Sequence, residues 1–308
     1  MALGVRTALV AVATAALLGG CGFGPGRATG GVSLVITQGF GSSDVGSVSA
    51  AKVPGSETVM RMLERGFHVQ TRYGGGFVQS IDGRSGNGPQ TDWFYYVNGI
   101  QAPQGAATTA VHRGDRIWWD LHDWHATDSI PAVVGSFPEP FVHGVGGKRL
   151  PTTLECGSGV SSACKRVTAA LTAARVPVSS QLIGTGSGPD SLAVVVATWR
   201  EVRPEVAASL IAHGPSASGV YARFAGRFGD SLELFDPQGK VVKTLRAGAG
   251  LVAATADPHS EPTWLVTGTD PAGVAAAAAA VTAPALHDHF ALAVQGSTRL
   301  PVPVQGAR

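Results

Sequence analysis

Two aromatic strand signals, each joined to a tight turn, constrain this chain more than any other feature. Trp93-Phe94-Tyr95-Tyr96-Val97 runs directly into Asn98-Gly99, a dipeptide that takes the positive φ angles of a two-residue turn. Gly114-Asp115 supplies a second turn, and Arg116-Ile117-Trp118-Trp119-Asp120-Leu121 follows it. Four of the six Trp and two of the four Tyr fall between positions 93 and 124. Strand alternation places Ile117, Trp119 and Leu121 on one face, and Arg116, Trp118, Asp120 and His122 on the other. The first set predicts a core. The second mixes aromatic surface with polar handles, the composition of a ligand wall. The candidate ligand-binding residues are therefore Trp93, Tyr95, Tyr96, Asn98, Trp118, Asp120 and His122. The competing reading has the same rings filling the interior of a small β domain. On the wall reading, Trp119→Ala destabilises by ~3–5 kcal/mol and Trp118→Ala barely at all.

The surrounding segments predict short elements, because 42 Gly and 19 Pro occupy about a fifth of the 308 positions. Residues 32–36 read as a strand. A helix follows over 56–65, with Ser56 as its N-cap, Val59, Met60 and Leu63 on one stripe, and Gly66 as its stop. Further strands are expected at 67–72, 77–81, 93–97, 108–112 and 116–121. One helix among several short strands over 32–128 predicts a compact α+β domain. Residues 129–149 form a Pro/Gly-rich connector. Residues 150–308 alternate strand and helix signals and predict a second α+β domain. Its helices are expected near 160–175, from Pro204 with Val206 and Leu210 facing inward, and from Pro271 to about 282 behind an Asp270 N-cap. Strands are expected at 150–154, 179–184, 192–198, 220–228, 263–267 and 290–294.

Residues 1–21 read as an export leader: Arg6, an apolar run over 7–18, then Leu18-Gly19-Gly20-Cys21. That run is too short to cross roughly 30 Å of hydrocarbon as a helix. The ending resembles a bacterial lipobox, in which small residues admit the peptidase and the thiol of the new N-terminus, here Cys21, takes the lipid. The expected location is the extracytoplasmic face of a cell membrane, with residues 22–31 as a flexible tether. An oxidising compartment makes a disulfide of the remaining pair, Cys156 and Cys164, worth ~2–3 kcal/mol for so short a loop.

The stretch that includes Trp93-Phe94-Tyr95-Tyr96-Val97-Asn98-Gly99-Ile100 and Arg113-Gly114-Asp115-Arg116-Ile117-Trp118-Trp119 resembles the C-terminal β-domain of transcobalamin and intrinsic factor. It is more closely similar to the uncharacterised bacterial domains grouped with that domain. The resemblance covers about residues 32–125. It implies a small β-grasp-like fold and a cobalamin-like ligand. In the animal carriers a large α-helical barrel forms the other half of the site and supplies the cobalt-ligating His. No array of helical hairpins is present here, so that half would have to be a partner protein.

Signatures of catalysis are missing. There is no Gly-x-Ser-x-Gly string, no phosphate loop, no dinucleotide turn and no His-Glu-x-x-His. Asp120, His122, Asp123 and His125 fall within six residues but read as a polar strand end, and His287-Asp288-His289 reads as a solvated loop; no metal site is expected. A net charge of +2 without basic clusters argues against nucleic acid. The chain reads as a lipid-anchored binding protein rather than an enzyme, with no resident cofactor. It would carry cobalamin-like cargo for a membrane transporter or a helical-barrel partner. The alternative is an envelope interaction protein that binds a surface protein or glycan.

Overall fold

The computed structural model describes residues 30–86, 88–184 and 190–306. The leader, Cys21 and nearly all of the tether lie outside the described residues. The fold is mixed α/β, with many strands and few helices.

The N-terminal part opens with β1 (Val32–Gln38), β2 (Ser43–Ala50) and α1 (Val59–Gly66). A separate hairpin follows, β3 (Val69–Arg72) and β4 (Phe77–Ile81), then β5 (Thr91–Val97), β6 (Ile100–Gln101) and β7 (Arg116–Asp123). The five-stranded sheet has the order β2-β1-β7-β5-β6, with β1 and β7 parallel at its centre. Alternation in β1 turns Val32, Leu34 and Ile36 to the face covered by α1, where Val59, Met60, Met62 and Leu63 complete a core with Ile117 and Trp119. Thr58, not Ser56, caps α1: its backbone is extended and its hydroxyl accepts from Arg61 N at 3.3 Å. The strand expected at 108–112 reduces to a single bridge between Ala110 and Thr58.

The C-terminal part is built on a seven-stranded mixed sheet. It begins with β8 (Thr152–Cys156), α2 (Ser161–Ala173), β9 (Val178–Leu182) and β10 (Leu192–Thr198). Short helices α3 (Trp199–Val202), α4 (Val206–Ala212) and α5 (Pro215–Ser218) lead to a small antiparallel sheet of β11 (Ala222–Ala225), β12 (Ser231–Phe235) and β13 (Val241–Leu245). The chain ends with β14 (Ala249–Thr255), β15 (Thr263–Gly268), α6 (Pro271–Ala279), α7 (Ala283–Leu286), β16 (Ala291–Gln295) and β17 (Thr298–Val302). The sheet order is β17-β16-β14-β15-β10-β8-β9. Asp270 caps α6 as expected, accepting from Gly273 N at 2.9 Å. α4 starts two residues later than Pro204, which rotates its buried stripe: Ala207, Ala208 and Ile211 face inward, and Val206 is exposed. Cys156 and Cys164 form the expected disulfide, Cα–Cα 6.1 Å, tying the end of β8 to the first turn of α2.

The two parts share a core. Phe40, Tyr96 and Trp118 pack in one cluster with Ile130 and Val133 of the connector and with Val195, Leu251 and Phe290 of the C-terminal part. The connector is thus packed inside, with Val134 and Phe141 buried as well. The N-terminal sheet is covered on both faces, by α1 on one side and by the C-terminal part on the other. Trp118 and Trp119, on opposite faces of β7, are therefore only 0% and 2% exposed. The expectation that Trp118 lies on an open wall and is nearly silent for stability is corrected by this second cover. Trp118→Ala and Trp119→Ala are each expected to lower unfolding free energy by ~3–5 kcal/mol in urea titrations.

Candidate functional site

On the inner face of β7 a buried carboxylate gathers the polar groups. Asp120 accepts from Thr37 Oγ1 at 2.5 Å, Phe40 N at 2.9 Å and Gly41 N at 2.8 Å, and pairs with His122 Nδ1 at 2.8 Å. Trp118 Nε1 donates to the same Thr37 hydroxyl at 2.7 Å. The His122 ring is stacked between Phe40 and Phe94, at 4.5 and 4.4 Å, with Phe290 edge-on at 5.3 Å. β1 and β7 pair in parallel with Thr37 opposite Asp120, and this register makes the network possible. Tyr96 belongs to the same interior; burial first, and the nearby Asp120 second, push its hydroxyl well above its ordinary value. Of the expected wall, Tyr96, Trp118, Asp120 and His122 are brought together, but as an interior with no open side.

Asn98 sits at the turn with φ +54, as the Asn98-Gly99 signal requires. Its Nδ2 donates to Asp115 Oδ1 and to Gly144 O, both at 2.9 Å, and its Oδ1 accepts from Arg116 N at 2.9 Å. It therefore pins the turn before β7 to the connector. Burial raises the Asp115 carboxyl, against hydrogen bonds from His112 and Asn98. Arg116 Nη2 meets Asp288 Oδ1 at 2.5 Å across the two parts, so the segment read as a solvated His287-Asp288-His289 loop holds a part-buried ion pair.

The outer face of the same strands carries an opening. Trp93, Tyr95 and Trp119 line a cleft of ≈ 190 Å³, with Met60 and Phe77 on its rim. Cross-strand pairing sets Tyr95 opposite Trp119, and their rings stack at 4.8 Å. Two of the aromatic side chains that line it are fixed by their polar ends. Trp93 Nε1 donates to Arg84 O at 3.1 Å, and Tyr95 Oη bonds Gln104 O at 2.5 Å and Thr109 Oγ1 at 2.8 Å. Trp119 Nε1 is buried and has no hydrogen-bond partner among the described residues. Among the described residues, no charged side chain lines this cleft. Its aromatic wall includes Trp93 and Tyr95, expected from the sequence, and Trp119, which is core as alternation expected and also borders the cleft. The signal that would have found Trp119 is its position directly across from Tyr95.

A second cleft, ≈ 360 Å³, lies in the C-terminal part beside Glu155, Glu205, Asp257 and Glu261. Burial raises the Glu155 and Glu261 carboxyls, with the neighbouring Glu205 and Asp190 adding to the effect. Among the described residues no three His, Cys, Asp or Glu side chains are placed to hold a metal ion.

Comparison with known proteins agrees with the location of the aromatic strands. Residues 56–123 match a family described as a domain of unknown function, DUF4430. No curated protein matches the chain. Among solved structures, a candidate metal-binding protein from Ruminococcus gnavus is 17% identical, with a TM-score of 0.25 over 30% of this chain and 95% of that one. Haptocorrin in its complex with Cbi is 17% identical, with a TM-score of 0.26 over 33% of this chain and 27% of haptocorrin. The likeness to the transcobalamin family is therefore distant.

Asp120 is predicted to be the most sensitive polar position. Asp120→Ala should cost ~3–5 kcal/mol in urea titrations, since it strands a buried imidazole, a hydroxyl and two backbone N–H groups. Asp92→Ala, which removes one part-buried acceptor of Trp124 Nε1, should cost ~1 kcal/mol or less.

Proposed function

We propose that this chain is an extracytoplasmic ligand-binding protein, held at the membrane by lipid on Cys21, that uses the aromatic cleft of a β-grasp-like N-terminal domain. The β-grasp reading is supported by the sheet order, with the first and last strands parallel at the centre and α1 across one face. The Cys156–Cys164 disulfide supports an oxidising compartment. The observation that carries the binding reading is the stacked pair of Tyr95 and Trp119 beside Trp93, which lines an uncharged aromatic cleft. Flat, neutral rings suit such a wall, because they stack on it without stranding a charge.

The cleft's ≈ 190 Å³ lies below the roughly 300–1,000 Å³ of pockets that engulf whole ligands. It takes one ring of a larger molecule. For cobalamin-like cargo the rest would stay outside, to be covered by a transporter or a helical-barrel partner during hand-off. The second reading, a glycan- or protein-binding envelope component without small-molecule cargo, is favoured by Tyr73. It is 86% exposed at the tip of the β3–β4 hairpin and sits edge-on to Phe77 of the cleft rim. Neither reading includes catalysis.

Titration of the full chain with cyanocobalamin, following Trp fluorescence, tests the proposal. Saturable quenching at micromolar ligand is expected. Trp119→Phe, which keeps a ring but shortens the stacked wall, should weaken it roughly fivefold. Quenching by a glucan oligosaccharide alone would put the second reading ahead, and no response to either would sink the cleft as a site. The anchor is tested separately: Cys21→Ala should move the protein from the membrane fraction to the soluble one.

A further inference from the structure

The turn between β11 and β12 presents a feature that neither the core nor the aromatic cleft uses. Phe228 stands 45% exposed there. The Arg200 and Arg227 guanidinium carbons lie 5.3 and 5.2 Å from the centroid of its ring. Arg203 Nη1 donates to Arg227 O at 3.0 Å, which holds a third guanidinium beside the same turn. None of the three arginines makes an ion pair among the described residues. Glu201, next to Arg200, is engaged by Ser158 and Thr198.

The turn is rigidly backed. Gly229 has φ +76 and lies against Trp199, where an added Cβ would collide with the indole. Trp199 in turn stacks on Phe224 at 4.3 Å. A part-exposed aromatic ring with two guanidinium groups over it, neither in an ion pair among the described residues, fits a surface that is anionic outside and apolar beneath. We infer that Phe228, Arg200, Arg203 and Arg227 form a docking patch for an anionic phospholipid bilayer. The ring enters the acyl boundary while the guanidinium groups bind headgroup phosphates, so the C-terminal part lies against the membrane. The inference stands on this turn alone and does not require the aromatic cleft or lipid on Cys21.

The test uses the full chain with vesicles of phosphatidylcholine, with or without 30% phosphatidylglycerol (about one lipid in three). Sedimentation should show stronger partitioning onto the anionic vesicles, falling with added salt. Arg200→Ser and Arg227→Ser should each weaken it by about fivefold. The leader also has affinity for lipid, so a second readout isolates the patch. Phe228→Trp should gain fluorescence quenching by brominated phosphatidylglycerol over the wild type, whose other Trp residues provide the background. The inference fails if the new Trp gains no quenching or if the arginine variants partition as the wild type does. Equal partitioning onto vesicles and soluble heparin-coated beads would reassign the patch to a soluble polyanion and overturn it.

Discussion

Asp120 is the constraint on which the arrangement of the two parts depends. A carboxylate without exposure to water is costly unless its oxygens are occupied, and here a hydroxyl, two backbone N–H groups and an imidazole occupy them. Those donors come from different places. Thr37 belongs to β1, Phe40 and Gly41 to the loop after it, and His122 to β7 itself. Satisfying Asp120 therefore fixes the loop, and the loop delivers Phe40 against Tyr221 and Phe290 of the C-terminal part. The Arg116–Asp288 pair and the Asn98 bonds to the connector fix the other end of the same strand. β7 is clamped along its length, on its inner face, by groups from both parts.

That clamp overturns one of the two face assignments drawn from the sequence: the expected wall is interior, while Ile117 and Trp119 are core as expected. Alternation separated Trp118, Asp120 and His122 correctly from Ile117, Trp119 and Leu121, because the period of two is a property of the strand itself. Which face remains open depends on what packs there, and no local pattern carries that information. The polar handles read as ligand contacts are internal partners of one another. The opening lies on the face of α1, where the helix covers Ile117 but leaves space beside Trp93, Tyr95 and Trp119.

The legible parts of the fold were those with strong local chemistry. The Asn98-Gly99 turn, the Asp270 cap with Pro271 behind it, the short disulfide loop and the helix expected near 160–175 all agree with the structure. Less was legible where local signals compete. Ser56 and Thr58 are both good caps, and the bridge between Thr58 and Ala110 selects the second. β2, with the sequence SDVGSVSA, is an edge strand with no fully buried residue, and its few small apolar side chains make a weak strand signal. It exists because β1 supplies a partner along its whole length. In α4 a shift of the start by two residues turned Val206 outward, since a helical stripe is only as accurate as its first residue.

The clamp and the cleft share one strand, so binding at the cleft, as proposed, would be coupled to stability. The rings around the opening are ordered before any ligand arrives, Trp93 by Arg84 O and Tyr95 by Gln104 and Thr109, so little side-chain freedom remains to be lost on binding. Trp119 has no such polar tie, and its position comes from the backbone of β7 and the stacked Tyr95. That backbone is held in place on its far side by Asp120 and Trp118. A substitution inside the domain interface therefore disturbs the cleft through a single peptide unit, with no contact between the altered side chain and the ligand. Loosening the interface should loosen Trp119 first, while Trp93 and Tyr95, tied on their own strand, keep their places longer.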